Sequence, residues 1–341
     1  MSSLRTIRTL GFVYILLIVS QPTEAQKKQT MLAELKKTPL MGKSVPVKFH
    51  MIKKGKFKPV KKKDLEVVLA AGTYSNGKIL IPNEADYLED HRIKMRFRSL
   101  KNPNYWYDTT IFVDYTGSIV ADYRGKPGRE GERGNNRAGV FLIGRDGNDG
   151  GDGSHGSSGS DGEHIEVNLS AYYDSIMGRE LVKAVVKSKS SSKKSTYLVN
   201  PAGGKLLITT DGGEGGSGGD GGYGGDGKDA KAPTEKKSAK APGDGGDGGN
   251  GGDGGDGGNG GSITVYVDPT AANYMRLISF SNEGGQAGRS GNSGDGGSGG
   301  SSGYGYSSGS SGNKGYSGSR GRKGIAGAQA EIIYQNAVAE Q

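Results

Sequence analysis

Gly284-Gly285-Gln286-Ala287-Gly288-Arg289-Ser290-Gly291-Asn292-Ser293-Gly294 opens a stretch in which glycine holds every third position. The register continues through Gly297, Gly300 and Gly303, misses once at Tyr306, and resumes from Gly309 to Gly327. An earlier run holds Gly144 to Gly162 in the same phase, and two more, from Gly212 and from Gly245, are doubled as Gly-Gly-X. Gly125-Lys126-Pro127-Gly128-Arg129-Glu130-Gly131 begins a collagen-like fragment. Three residues per turn is the period of a polyproline II type helix, which puts every third residue on one edge. Glycine along that edge lets another backbone come close, because no Cβ stands in the way.

Three arrangements have this period. Collagen needs three chains and long, unbroken, proline-rich triplets; this chain has 11 prolines and its runs are broken by apolar segments. A disordered linker has no reason to keep its phase. A packed set of glycine helices explains both spacings. Such helices make no internal hydrogen bonds, so their N–H and C=O groups must go to neighbours. A surface helix can spare one face, giving Gly-Gly-X, and an edge helix two, giving Gly-X-X. The sequence therefore predicts an all-β plus polyglycine II fold. A small antiparallel β-sandwich over 45–124 precedes a bundle of about six polyglycine II helices interleaved with short β-strands over 125–341. The runs lie near 125–139, 144–162, 212–227, 243–261, 284–303 and 309–327, with inserted strands in 163–211 and 262–283 and an exposed connection at 228–242. The runs resemble the polyglycine II sandwiches of glycine-rich phage tail-fibre adhesins and snow-flea-type antifreeze proteins. The resemblance is architectural, covers the glycine runs alone, and carries over no binding residue.

The strand expectations rest on alternation. Val45, Val47 and Phe49, then Ile93, Met95 and Phe97, alternate with polar residues, and turn signals separate such segments. Trp106 is expected in the packing of this domain. Further alternating segments are Ile165, Val167 and Leu169, and Ile263, Val265 and Val267.

Residues 1–25 read as a signal peptide: Arg5 and Arg8, an apolar stretch from Leu10 to Val19, and Thr23-Glu24-Ala25 before a cut that leaves Gln26. The stretch is short of the roughly 20 residues that span a bilayer. The reading is therefore an exported protein of the periplasm, outer-membrane surface or extracellular space. It has no transmembrane segment after signal cleavage, and residues 26–44 form a tether. The absence of cysteine excludes disulfides, thiolate metal sites, a thiol nucleophile and a lipidated cysteine. Hydrophobic residues make up 32% and glycine 64 positions, so a conventional core is confined to the glycine-poor segments. The formal charge of +9 is uneven. Residues 26–125 hold 20 Lys and Arg against 10 Asp and Glu, whereas the run 243–262 is acidic.

Interaction candidates are the basic Lys53, Lys54, Lys61, Lys62 and Lys63, and Tyr304, Tyr306 and Tyr316 near Arg320 and Arg322. The lysines suit an anionic envelope polysaccharide or lipid headgroups, or a protein partner. Nucleic acid does not fit an exported chain. Asp247, Asp253 and Asp256 are the calcium candidates. One helix cannot bring such carboxylates around an ion whose ligands lie about 2.3–2.6 Å away; two adjacent helices can. His155 and His164, near Asp152 and Asp161, are a weaker metal pair, and solvated acidic surface is the plainer reading. No catalytic constellation and no cofactor motif is present. The expectation is a non-enzymatic structural or adhesive surface protein, a monomer or a subunit of an envelope complex. Its alternatives are an accessory subunit of an outer-membrane or cell-surface complex and an ice-binding protein.

Overall fold

The computed structural model describes residues 30–53, 56–137 and 146–336. The expected signal peptide 1–25, Lys54 and the apolar Val140-Phe141-Leu142-Ile143 lie outside the described residues.

Eight strands come first: β1 (Thr30–Leu35), β2 (Ser44–Lys53), β3 (Lys56–Pro59), β4 (Leu65–Leu69), β5 (Thr73–Ser75), β6 (Lys78–Leu80), β7 (Arg92–Ser99) and β8 (Tyr107–Phe112). They form two antiparallel sheets, one in the order β1-β2-β6-β5 with β3 added to β2, the other β4-β7-β8. Alternation decides their faces. In β7, Ile93, Met95 and Phe97 are buried while Arg92, Lys94 and Arg96 are exposed. The Phe49 ring meets Phe97 at 4.9 Å between centroids, joining the sheets. Between β5 and β6, Asn76 (φ 51) and Gly77 (φ 76) supply the two positive angles of a tight hairpin. The tether reading is corrected over Thr30–Leu35, which pairs along β2 with Met31, Ala33 and Leu35 buried.

The later strands are β9 (Ser118–Asp122), β10 (Ile165–Asp174), β11 (Arg179–Ser188), β12 (Lys194–Val199), β13 (Lys205–Thr209), β14 (Ile263–Val267), β15 (Ile278–Ser281) and β16 (Glu331–Tyr334). Here the pairing changes. β9 and β15 flank β13 in parallel, and β10 and β16 flank β14 in parallel. Only β11 and β12 join antiparallel, beyond β10. Ile119, Leu206 and Ile208 of the first sheet and Ile165, Val167, Val265 and Val267 of the second belong to one buried core with the N-terminal sheets. A 3-10 segment, Pro269–Leu277, covers part of it and starts at Asp268, whose carboxylate accepts the Thr270 N–H.

The expected fold is corrected on this evidence. The chain is mostly β-strand in several sheets, 5% of it is helical, and a bundle of about six polyglycine II helices is not shown. The antiparallel sandwich expected over 45–124 also loses its last strand, because β9 leaves it to pair in parallel with β13. The physical reason is that the apolar segments between runs pair with one another rather than merely covering run ends.

The glycine runs are extended segments hydrogen-bonded sideways. The first (125–137), third (212–227) and fifth (284–303) lie parallel in one row, through bonds such as Gly128 N–H to Glu214 O at 2.7 Å and Gly215 N–H to Gln286 O at 2.8 Å. The second (146–162), fourth (243–261) and sixth (309–327) form a second row, through Gly156 N–H to Asp253 O and Gly251 N–H to Tyr316 O, both 2.8 Å. The rows bind each other antiparallel, as in Gly216 N–H to Ser157 O at 2.9 Å and Gly252 N–H to Gly219 O at 2.8 Å. Each row prolongs a parallel sheet: β9, β13 and β15 feed one, and β10, β14 and β16 leave the other.

Glycine content follows crowding. The third and fourth runs bond to four others and read Gly-Gly-X; the first and sixth bond to two and read Gly-X-X. A Cβ at Gly216 would stand 1.9 Å from Arg129 O, and one at Gly252 2.0 Å from Ser154 O. Gly305 (φ 83) takes a positive φ in its turn, but none of the glycines within the described runs does. Within the runs glycine is therefore needed for room, not for its backbone freedom. Where the fifth run carries Ala287, Ser290 and Ser293, its bonds to the sixth lengthen: Gly315 N–H to Gly294 O is 3.0 Å, Gly318 N–H to Gly291 O 3.1 Å and Gly321 N–H to Gly288 O 3.2 Å. At the doubled-glycine end, Gly312 N–H to Gly297 O is 2.8 Å.

Asp211 fastens the first row where strand passes into run. Its carboxylate accepts the Ser281 hydroxyl (2.6 Å), the Thr209 hydroxyl (2.8 Å) and the Glu283 N–H (2.8 Å). Burial pushes this carboxyl up, but the two hydroxyls, the Glu283 N–H and the Arg124 charge together hold it below the usual carboxylate range. A folded value below the unfolded one stabilises the protein above about pH 4, and that contribution is lost as pH falls through the folded value. Asp211→Asn is expected to cost about 1–2 kcal/mol at pH 7. It should also shrink the loss of stability between pH 5 and pH 3, measured by urea unfolding at each pH; an unchanged acid limb would refute the assignment.

Candidate interaction surfaces

The X residues of the runs have an occupation that spacing alone does not reveal. On the second row, Asp146, Asp149, Asp152 and Asp161 each accept a backbone N–H of the fourth run through Oδ1, at 2.6–2.9 Å. The fourth run repeats this on the sixth: Asp247 Oδ1 accepts Asn313 N–H, Asp253 Oδ1 accepts Ser319 N–H and Asp256 Oδ1 accepts Arg322 N–H, at 2.6–2.7 Å. Serines of the second run do the same work for the first, Ser157 Oγ accepting Arg129 N–H at 2.7 Å. A short side chain carrying an acceptor satisfies the N–H that faces outward, where no further run exists to take it. Asp, Asn and Ser at these positions are structural rungs.

This bears directly on the metal candidates. Asp247, Asp253 and Asp256 point along one face, each with an oxygen committed to backbone. His155 Nδ1 accepts Asp253 N–H at 2.8 Å and His164 Nδ1 accepts Ser262 N–H at 3.0 Å, so both are rungs in the same ladder. Among the described residues no group of three or more His, Cys, Asp or Glu is placed to hold a metal ion.

The lysines divide. Lys53 ends β2, and β3 returns beside it with Lys56, Phe57 and Lys58 exposed. Lys61 precedes the 3-10 turn Lys62–Asp64 and Lys63 lies within it, both in the open. Lys62 is spent within the fold: its Nζ donates to Asn76 O at 2.6 Å, across the β5–β6 turn. None of Lys53, Lys56, Lys58, Lys61 and Lys63 has an ion-pair partner among the described residues. Trp106 packs outward rather than in the core, with the guanidinium groups of Arg98 (4.4 Å to the ring) and Arg96 (5.7 Å) against it. Those arginines are tied to Glu66 and Asp108.

The tyrosines are separated. Tyr304 and Tyr306 occupy the turn between the fifth and sixth runs, with Tyr304 at φ 54 and 60% exposed. Tyr316 is ten residues on, up to roughly 35 Å along an extended chain, and 82% exposed. What joins the Tyr304 turn is the 228–242 connection. It folds back on itself through paired bonds between Lys231 and Lys240, both 3.0 Å, and a Thr234 N–H to Lys237 O bond of 2.8 Å. Ala230 N–H donates to Ser301 O at 3.0 Å, setting the two turns side by side. Lys231, Lys236, Lys237 and Lys240 line a groove there with Glu235, and no ion pair engages these lysines among the described residues. The sequence shows this connection as exposed; its lysines become a cluster only through the backward fold of the loop.

A last polar group lies at the opposite end. His91, at φ 60, holds Tyr115 OH with Nδ1 and Asp174 Oδ2 with Nε2, both at 2.8 Å. It locks the N-terminal sheets to the β10–β11 turn. Among the described residues no helix is long and apolar enough to cross a membrane. No family model matches the chain, and no curated protein or solved structure does either.

Proposed function

We propose that the protein is a non-enzymatic display scaffold of the cell exterior, which holds an adhesive tip away from its N-terminal sheets. The observation that carries this reading is the cross-bonding of the runs: two rows of three, fixed by backbone bonds at every third residue, end in adjoining turns with uncommitted charge. Such a slab needs neither disulfide nor metal to keep its turns in place. Four free lysines beside two exposed tyrosines suit a polyanionic carbohydrate, whose charges attract the lysines and whose sugar rings stack on aromatic faces. Replacing Lys231, Lys236, Lys237 and Lys240 with serine should lower affinity for an anionic polysaccharide such as alginate more than tenfold at low salt and flatten its salt dependence. The unfolding midpoint should not move. Equal binding by the variant refutes the reading.

A further inference from the structure

The N-terminal sheets carry a second and chemically different surface. The arm formed by the end of β2 and by β3 presents Lys53, Lys56 and Lys58, with Lys61 and Lys63 just beyond, all without ion-pair partners among the described residues. Phe57 sits among these charges and is 61% exposed. Its ring is steadied edge-on by His50 at 6.3 Å, and His50 is itself held by Glu34 at 3.1 Å. Folding gains nothing from leaving a phenylalanine in water at the end of a cationic arm.

We propose that this arm docks on an anionic lipid bilayer, with Phe57 entering the headgroup boundary and the lysines resting on the lipid phosphates. The phenylalanine decides between the anionic partners a basic arm could take. A polysaccharide satisfies the lysines but offers no apolar phase for an exposed ring, whereas a bilayer offers both. The chain's own course agrees. β1 begins at Thr30 directly opposite Ile52, so the described chain enters at the foot of the same arm. The sequence just before it adds Lys27 and Lys28.

The test is co-sedimentation of the chain from Gln26 onward with vesicles of phosphatidylcholine containing about a third phosphatidylglycerol. The controls are pure phosphatidylcholine vesicles and soluble alginate. Binding is expected to the anionic vesicles alone of the two lipid samples. Phe57→Ser should weaken it about tenfold, the loss of one buried phenyl ring. Lys56→Gln with Lys58→Gln should weaken it roughly fivefold per charge. Phe57 lies on the surface, so the circular dichroism and unfolding midpoint of Phe57→Ser should match the parent. The four-lysine tip variant should still sediment with vesicles, which separates this proposal from the fate of the tip reading. Undiminished vesicle binding by Phe57→Ser, or binding to neutral vesicles as strong as to anionic ones, overturns it. A Phe57→Ser loss seen equally on alginate also overturns it, since the ring would then serve a polymer.

Discussion

Gly252→Ala is expected to destabilise the protein by about 2–4 kcal/mol, reversing the usual sign of that substitution. Elsewhere, replacing glycine by alanine at a compatible backbone angle gains about 0.4–1 kcal/mol, because the unfolded chain loses freedom. Gly252 has a compatible angle, so the same gain applies. Here it is outweighed. The added Cβ would stand 2.0 Å from Ser154 O and 2.5 Å from its carbonyl carbon, and both are backbone that cannot swing aside. The fourth run must move off the second, which costs about 1–3 kcal/mol as overpacking does in a core. That movement also strains the bond Gly252 donates to Gly219 O and the one it accepts from Gly291 N–H, each worth about 1 kcal/mol. Ser310→Ala, on an exposed X position of the sixth run, should stay within about 0.5 kcal/mol. Urea unfolding of both variants measures the contrast. A Gly252→Ala midpoint equal to that of the parent would mean that the runs do not approach as closely as described.

Deleting the single residue Ser217 should abolish cooperative folding, while deleting the triplet Ser217-Gly218-Gly219 should not. One missing residue pulls Asp220 into the place of Gly219 and Tyr223 into that of Gly222. At those places a Cβ would lie 1.9 Å from Glu132 O and 2.2 Å from Asn135 O. The third run has four neighbours, so there is no open side into which these side chains can turn. A missing triplet keeps every remaining glycine in phase. The run then ends one triplet early, the 228–242 connection takes up the change, and the cost is the few bonds of that triplet. Limited proteolysis and the sharpness of the unfolding transition distinguish the two. A single deletion that unfolds as sharply as the triplet deletion would show that phase is not what holds the runs.

The contrast between these deletions also marks what the sequence makes visible. Period three is a local property, and it reveals which segments run side by side and how many sides each one shares. It does not reveal partners. Ile165 pairs with Ile263 and Lys205 with Ser118, and nothing within either segment encodes a companion so far away in the chain. The expectation of helices followed from the period alone. The strands expected between the runs pair with one another in parallel, because Val-, Ile- and Leu-rich segments held in line by their flanking runs bury most by pairing with each other. The strand at Thr30–Leu35 was legible in the alternation of Met31, Ala33 and Leu35, but Leu32 blurs it. The acidic rungs were hidden for another reason: Asp247 looks the same in sequence whether it faces solvent, calcium or a backbone N–H. The basic arm is visible as composition, yet only the structure sets Lys62 apart from its neighbours and shows Phe57 outside.

Among the described residues, every run bonds only to others one or two places away in order: the third to the first and second, the fourth to the second and third, and so to the sixth. No run waits for one that lies more than two places later. A chain delivered N-terminus first can therefore set down each segment on a template already complete, like courses of brick, and the part already laid is never reopened. The assembly has a direction, and that direction is the one in which a polypeptide is made and threaded through a pore. Loss of the last course would leave the wall standing, whereas loss of the first would leave the second and third without the neighbour they are laid against.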